Sequence, residues 1–194
     1  LADHDGPAIA ASNISVSTVG NPKGIRTLGT LAAEPGFHRL NLAVSLNAPN
    51  DRIRAEIMPV DRAWPMDDLM DAMQSWPGRP KSAICIEYVL IPGVNDGLEH
   101  CDEVCEYLRP LRCSLNVIPY NPRRGSPWPA PDEASVEVFL DRARSNGQFT
   151  KRRGTKGRNV MAACGQLGNP DIRRRRRVSD GVRVGLTMDS VARR

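Results

Sequence analysis

Five short runs of β-branched and apolar residues recur along this chain of 194 residues, and the stretches between them carry helical spacing. The runs are residues 13–17, 39–46, 82–91, 113–118 and 149–152. Between them, Pro22 opens a helical pattern over 22–33 with Ile25, Leu28 and Leu31 at helical spacing. Asn50-Asp51 starts a short helical turn, and Leu69, Met70, Met73 and Trp76 share one face of a segment over 67–76. A helix is predicted over 98–109, and Asp132 caps another that runs to about Ser145, with Val136, Val138, Phe139 and Ala143 as its apolar positions. Parallel strands need crossover connections of a dozen residues or more, usually helices, so strict strand–helix alternation predicts an α/β fold with a parallel sheet. Four β/α units fit either a barrel segment or an open doubly wound sheet. In both, the loops after the strand C-termini carry function. Those loops are Ser17–Gly20, Ser45–Asn50, Ile91–Asp96 and Pro119–Pro122.

Composition narrows the class. Hydrophobic residues make up 40% and charged residues 25%, which supports a packed core and argues against global disorder. No apolar run approaches the ~18–20 residues of a membrane span. Asp3, His4 and Asp5 interrupt the region where a secretory signal would begin, so a cytoplasmic, monomeric chain is expected. Charge is uneven. Residues 146–194 hold 13 Lys and Arg against 3 Asp, whereas residues 1–145 carry a net charge of −5. A basic C-terminal quarter on an acidic body raises the prospect of a polyanionic partner. Residues 169–194 contain Arg173–Arg177 without an adequate apolar face and are expected to form a basic disordered tail behind a domain over 1–168.

Chemistry-bearing residues are few. Ser17, Ser45 and Asn121 each fall where a strand ends, and small polar side chains there can hold a polar ligand; each is also an ordinary turn residue type. Phosphate-loop, His-Glu-x-x-His and Gly-x-Ser-x-Gly patterns are absent, and His4, His38 and His100 give little material for a triad. The five cysteines are Cys85, Cys101, Cys105, Cys113 and Cys164. Cys101 and Cys105, four apart, share a helix face and read as packing residues. Cys164 differs: it sits among small residues in Ala162-Ala163-Cys164-Gly165, after the basic run Lys151–Arg158. Nearby cations favour the thiolate, the nucleophilic form.

Six stretches, in order, carry a further signal: VSTVG (16–20), VSLNAPND (44–51), Arg54-Ala-Glu-Ile-Met-Pro-Val (54–60), IEYVLIPGVND (86–96), NVIPYNP (116–122) and AACGQL (162–167). Together they cover roughly residues 12–168, and in this order and spacing the sequence resembles the RlmN/Cfr family of radical-S-adenosylmethionine RNA methyltransferases. The resemblance implies a partial (βα) barrel of the radical-SAM type, lacking its first strands. It implies that S-adenosylmethionine and a four-iron, four-sulfur (4Fe-4S) cluster serve a complete family member. It further implies that a methylated cysteine delivers a methyl-derived carbon to an adenine ring carbon, C2, of RNA by way of a 5′-deoxyadenosyl radical. Cys164 matches the methyl-carrying cysteine through AACGQL. Ser17 matches one S-adenosylmethionine contact, Ser45, Leu46 and Asn47 a second, and Asn121 a third; His is frequent in the family where Asn47 stands.

The sequence departs from the family in lacking a Cys-x-x-x-Cys-x-x-Cys motif, so no metal ligand is assigned. That motif, and the family's glycine-rich S-adenosylmethionine motif, would precede Leu1. Two functions follow. One is an adenine-methylating enzyme acting on large-subunit ribosomal RNA, with transfer RNA as a further substrate. The other is a catalytically inactive RNA-binding relative without the iron–sulfur site. In either, Lys151, Arg152, Arg153, Lys156 and Arg158 are expected at RNA phosphates, with Arg173–Arg177 adding non-specific attraction.

Overall fold

Each of the five β-like runs becomes a strand, and every neighbouring pair is parallel. The computed structural model describes residues 6, 8–58, 64–78, 82–122 and 125–154. A 3-10 turn at Ala11–Asn13 precedes β1 (Ser15–Thr18). Then come α1 (Pro22–Ala32), β2 (Asn41–Ser45), α2 (Asp51–Ile57), α3 (Met66–Gln74), β3 (Ile84–Leu90), α4 (Leu98–Leu108), β4 (Cys113–Pro119), α5 (Glu133–Ser145) and β5 (Thr150–Arg152). Asn13 was expected to open the first strand. It ends a tight turn over Ala11–Asn13 instead, with the Asn13 N–H on the Ala10 carbonyl at 2.8 Å and the Ile14 N–H on the Ala11 carbonyl at 3.0 Å.

The strand order is β1-β2-β3-β4-β5, strictly that of the chain. A doubly wound sheet reverses direction once, at a switch point. This sheet never does. Because β–α–β crossovers are right-handed, a sheet that always grows in one direction receives all its helices on one face. The fold is therefore α/β with the strand order of a barrel arc, and the doubly wound alternative is excluded.

Side-chain alternation agrees. β3 and β4 each alternate buried and half-buried residues along their whole length. Ile84, Ile86, Tyr88 and Leu90 join Leu115, Val117, Leu42, Val44 and Leu46 in one core with the inner faces of the helices. Tyr88 stacks on Phe139 of α5 with ring centroids 5.5 Å apart. Cys101 and Cys105 of α4 are buried in the same core, as their spacing suggested. Two expected core positions turn out to face water: Leu31 is 37% exposed and Val138 54%. In α1 the buried stripe is Ile25, Gly29 and Ala32, and in α5 Leu140 takes the place expected for Val138.

Two helix starts use polar residues read from the sequence, Asn50 and Asp132, and α1 adds Asn21 just before the Pro22 that was expected to open it. Asn21, Asn50 and Asp132 each accept a backbone N–H three residues on, at 3.0, 3.0 and 2.8 Å. Each such cap contributes about 1 kcal/mol. In α4 the cap comes from inside the helix, where His100 Nδ1 accepts the Gly97 N–H at 3.3 Å. All described residues belong to one unit, Leu1–Thr155. Cys164, Lys156, Arg158, Arg173–Arg177 and the expected boundary at 168/169 lie outside the described residues.

Candidate functional site

The face of the sheet opposite the helices is polar. Parallel register carries each inward residue directly across to its neighbour. Ser45 stands beside Glu87, Glu87 beside Asn116, and Asn116 beside Lys151. Two residues lower, Ser17 stands beside Ala43, Ala43 beside Cys85, and Cys85 beside Ser114. Glu87 is the hub of the upper row. One carboxylate oxygen accepts from Arg153 Nη1 at 2.6 Å, and the other accepts from Ser45 Oγ at 3.3 Å. Asn116 Nδ2 donates to Cys85 Sγ at 3.0 Å, and Ser114 Oγ donates to Asn116 Oδ1 at 3.3 Å. Burial, reinforced by the Glu87 charge, raises the Cys85 pKa, while Arg153 and Lys151 act in the opposite sense. The face thus offers hydroxyl, amide, carboxylate and ammonium groups within one layer.

Three loops at the C-terminal ends of the strands frame this face, and buried polar side chains fix them. Asn95, fully buried, ties two loops together. Its Oδ1 accepts the Ile91 N–H at 2.7 Å, and its Nδ2 donates to the carbonyls of Asn47 and Val89, both at 2.7 Å. Its own carbonyl accepts the Tyr88 hydroxyl at 2.8 Å. Asn47 adopts φ +58°, a left-handed conformation that Asn tolerates better than most residues. Its Oδ1 accepts the Val89 N–H at 3.0 Å. After β1, Gly20 has φ +102°, and a Cβ there would lie 2.6 Å from Arg54 Nη2. That Arg54 nitrogen donates to the Val19 carbonyl at 2.7 Å, so a buried cation from α2 holds the β1–α1 turn.

The residues expected at the site fall into two groups. Ser17 and Ser45 come together on the polar face, and Asn121 follows the C-terminal end of β4. Leu46 and Asn47 lie just past β2, but with a different character. The Leu46 side chain is fully buried, and the N–H groups of both residues are spent on the Glu87 carbonyl, at 3.0 and 3.3 Å. The Asn47 side chain is occupied by Val89 N–H and by Met58 Sδ at 3.3 Å. The structure thus uses Leu46 and Asn47 to shape the loop. Cys164 lies outside the described residues. The basic run is split by strand alternation: Lys151 faces the polar side, whereas Arg152 pairs with Glu133 at 2.6 Å and Glu137 at 3.0 Å of α5.

Sequence reasoning missed Glu87, Asn116, Asn95 and Arg54. Period-two alternation in ICIEYVL and CSLNVIP could have placed Glu87 and Asn116 on the face opposite the core. Asn95 read as a turn residue, and nothing in its spacing distinguished it from one.

S-adenosylmethionine carries an ammonium, a carboxylate and ribose hydroxyls, and the mixed donors and acceptors of the polar face suit all three. The 4Fe-4S cluster is different. Clusters are held by cysteine thiolates. Cys101, Cys105 and Cys113 are buried, and burial pushes the Cys113 thiol up to about 11. No group of three His, Cys, Asp or Glu among the described residues is arranged to hold a metal ion. The described residues therefore do not fit the cluster. Among them, no helix is long and apolar enough to cross a membrane.

No family profile matches the chain. Curated relatives do. The chain is 37% identical over 177 residues to "Probable dual-specificity RNA methyltransferase RlmN 1" of Protochlamydia amoebophila, covering 91% of this chain and 48% of that protein. It is 41% identical over 167 residues to dual-specificity RNA methyltransferase RlmN of Nitratidesulfovibrio vulgaris, covering 86% and 44%. The chain spans about half the length of the curated relatives it matches. Among solved structures, a radical SAM methyltransferase from Sphaerobacter thermophilus superposes with a TM-score of 0.77 at 36% identity, over 85% of this chain and 47% of that one. A domain of pyruvate-formate lyase-activating enzyme from Bacteroides vulgatus superposes with a TM-score of 0.54 at 14% identity, over 72% and 80%, and shares the fold alone.

Proposed function

From the chain's membership of the RlmN family of radical-SAM RNA methyltransferases, over the part of that family it spans, we propose that it serves S-adenosylmethionine-dependent methylation of RNA. The finer reading is transfer of a methyl-derived carbon to C2 of an adenine in large-subunit ribosomal RNA, with transfer RNA as a second substrate. The observation that carries the proposal is the polar row Ser45–Glu87–Asn116, half-buried on the sheet face that, among the described residues, receives no helix. In a family whose chemistry needs a polar ligand beside a reactive cysteine, this is the surface able to take that ligand. S-adenosylmethionine supplies an electrophilic methyl group.

Ser17, Ser45 and Asn121 bind it by side-chain hydrogen bonds. Leu46 and Asn47 set the shape of the β2 loop and contact it only through main-chain atoms. Glu87 accepts hydrogen bonds on the same layer and holds Ser45 and Arg153 in place. Cys164 accepts the methyl group, and the cations before it favour its thiolate.

The test uses this chain's residues within a full-length enzyme that carries the family's Cys-x-x-x-Cys-x-x-Cys motif, with methyl-labelled S-adenosylmethionine and an adenine-containing RNA. Label is expected on the peptide that contains Cys164 and on RNA adenine, and Cys164→Ala is expected to abolish both while leaving the unfolding midpoint unchanged. Label on another peptide, or normal turnover by Cys164→Ala, refutes the assignment. Tight RNA binding with no labelled product favours the non-catalytic reading.

A further inference from the structure

The last strand separates its side chains into two sets that the sequence presents as one basic run. Thr150 and Arg152 lie beside Leu115 and Val117, on the helix side of the sheet, and Lys151 lies beside Asn116, on the polar side. The ladder extends one residue beyond β5 at each end. The Leu115 N–H donates to the Phe149 carbonyl, and the Arg153 N–H donates to the Val117 carbonyl, both at 2.9 Å. Phe149, Lys151 and Arg153 therefore alternate onto the same face as Ser45, Glu87 and Asn116. Phe149 is 61% exposed, so its ring is open to a partner. Lys151 Nζ stands 5.2 Å from the centroid of its ring, and Arg153 Nη1 donates to Glu87 at 2.6 Å on the same face. Arg152 pairs with Glu133 and Glu137 on the other face.

We propose that Phe149, Lys151 and Arg153 form a strip that binds a single-stranded segment of the RNA substrate, with one base stacked on Phe149 and adjacent phosphates at the two cations. The inference rests on the methyltransferase reading above and adds to it the surface that grips the RNA. Three properties select a single strand. An exposed aromatic ring accepts any base face, whereas bases in a duplex are already stacked. Cations beside the ring on one strand follow a phosphodiester backbone. The strip is also narrow, spanning about 13 Å from Phe149 to Arg153 at the usual strand rise, which suits one extended nucleic-acid strand better than the broad apolar patch of a protein interface. Among the described strands, β5 pairs with β4 alone, so no neighbouring strand covers it on the other side.

The experiment measures binding of a fluorescein-labelled, unstructured 12-nucleotide RNA to the intact protein across a salt series. Phe149→Ala is expected to weaken binding by roughly 5- to 150-fold, the range for loss of one base–aromatic stack. Phe149→Tyr should retain the affinity of the wild type. Lys151→Gln should lower the salt slope by about 0.7, the value for one phosphate contact to a single strand. Val138→Ala, at an exposed position on α5, should change nothing. Unchanged RNA affinity in Phe149→Ala overturns the proposal. So does a fall in its unfolding temperature without loss of RNA affinity, since Phe149 then packs against protein. Methyl transfer is followed in parallel. Labelled RNA product with unaltered binding by the variants overturns the strip and spares the methyltransferase reading; absent product from the wild-type full-length enzyme, with the expected binding losses in the variants, does the reverse.

Discussion

Replacing Asn95 is the most direct probe of what holds the mouth of the sheet in shape. The side chain is fully buried and makes three hydrogen bonds of 2.7 Å, accepting from Ile91 N–H and donating to the carbonyls of Asn47 and Val89. Asn95→Ala strands one donor and two acceptors in the interior. Each unsatisfied group costs about 1–3 kcal/mol. Water entering the vacated space recovers part of this, because the site is polar. The expected loss is therefore about 3–5 kcal/mol, a large share of the ~5–15 kcal/mol that stabilises a typical protein. For a chain of this length that is a fall of roughly 6–20 °C in Tm. Asn95→Asp removes the rescue by water. It preserves volume and the acceptor for Ile91, but turns the donor toward Asn47 and Val89 into an oxygen facing two carbonyls. Its carboxyl must stay protonated to bond them, so its folded pKa rises above the unfolded value. The stability of the Asp variant is thus greatest below pH ~4 and falls as pH rises through the raised folded pKa. Urea unfolding at several pH values, with an unchanged m-value, measures both effects. A loss under ~1 kcal/mol for Asn95→Ala, against the 1–3 expected per stranded group, refutes the reasoning. So does a pH-independent cost for Asn95→Asp.

Two further outcomes follow from the same kind of accounting. Gly20→Ala forces a Cβ to 2.6 Å from Arg54 Nη2 at a φ of +102°, and should cost about 1–3 kcal/mol in urea unfolding; an unchanged midpoint would mean that the Arg54 contact with Val19 is unimportant to the turn. Hydrogen bonds from Arg142 and Asn146 hold the Asp102 carboxyl down to about 2. Its stabilisation is present above the ordinary carboxylate pKa and is lost as pH falls through about 2, so the Tm curves of the wild type and Asp102→Asn should converge there; parallel curves from pH 5 to pH 2 would contradict this.

Element identity was legible because each strand and helix carries its own period, Pro22 marks the start of α1, and short polar residues mark the starts of α2 and α5. The order of strands was not. Periodicity describes one element at a time, and the choice between a barrel arc and a doubly wound sheet depends on which neighbour each strand finds. The same limit explains the errors at Leu31 and Val138. Both are apolar at helical spacing, but a helix lying on one face of a sheet buries only a narrow stripe, which Gly29, Ala32 and Leu140 complete. At the site, Ser17 and Ser45 were visible as strand-end residues. Glu87 was concealed inside an apolar run, and spacing alone did not show that the Asn47 side chain bonds Val89 and Met58. Tertiary partners decide such cases: Asn47 contacts Val89, and Glu87 contacts Arg153, 66 residues away in sequence.

Strictly sequential strand order also has a kinetic meaning. Every strand pairs with the strand just before it, so each hydrogen-bonded ladder closes a loop no longer than one β–α–β crossover. Loop-closure entropy, which slows folding when distant segments must meet, stays modest at every step. The ladder between β3 and β4 is the longest, with seven residues in register from Ile84↔Cys113 to Leu90↔Pro119. It also contributes Tyr88 to the core, where its ring stacks on Phe139. A nucleus there can grow outward in both directions, through β2 to β1 and through β5, as a zipper does. Amide hydrogens would then exchange slowest at the centre of the sheet and fastest at its margins. The strands that carry Ser17 and Lys151 open first, while Glu87 stays fixed between them.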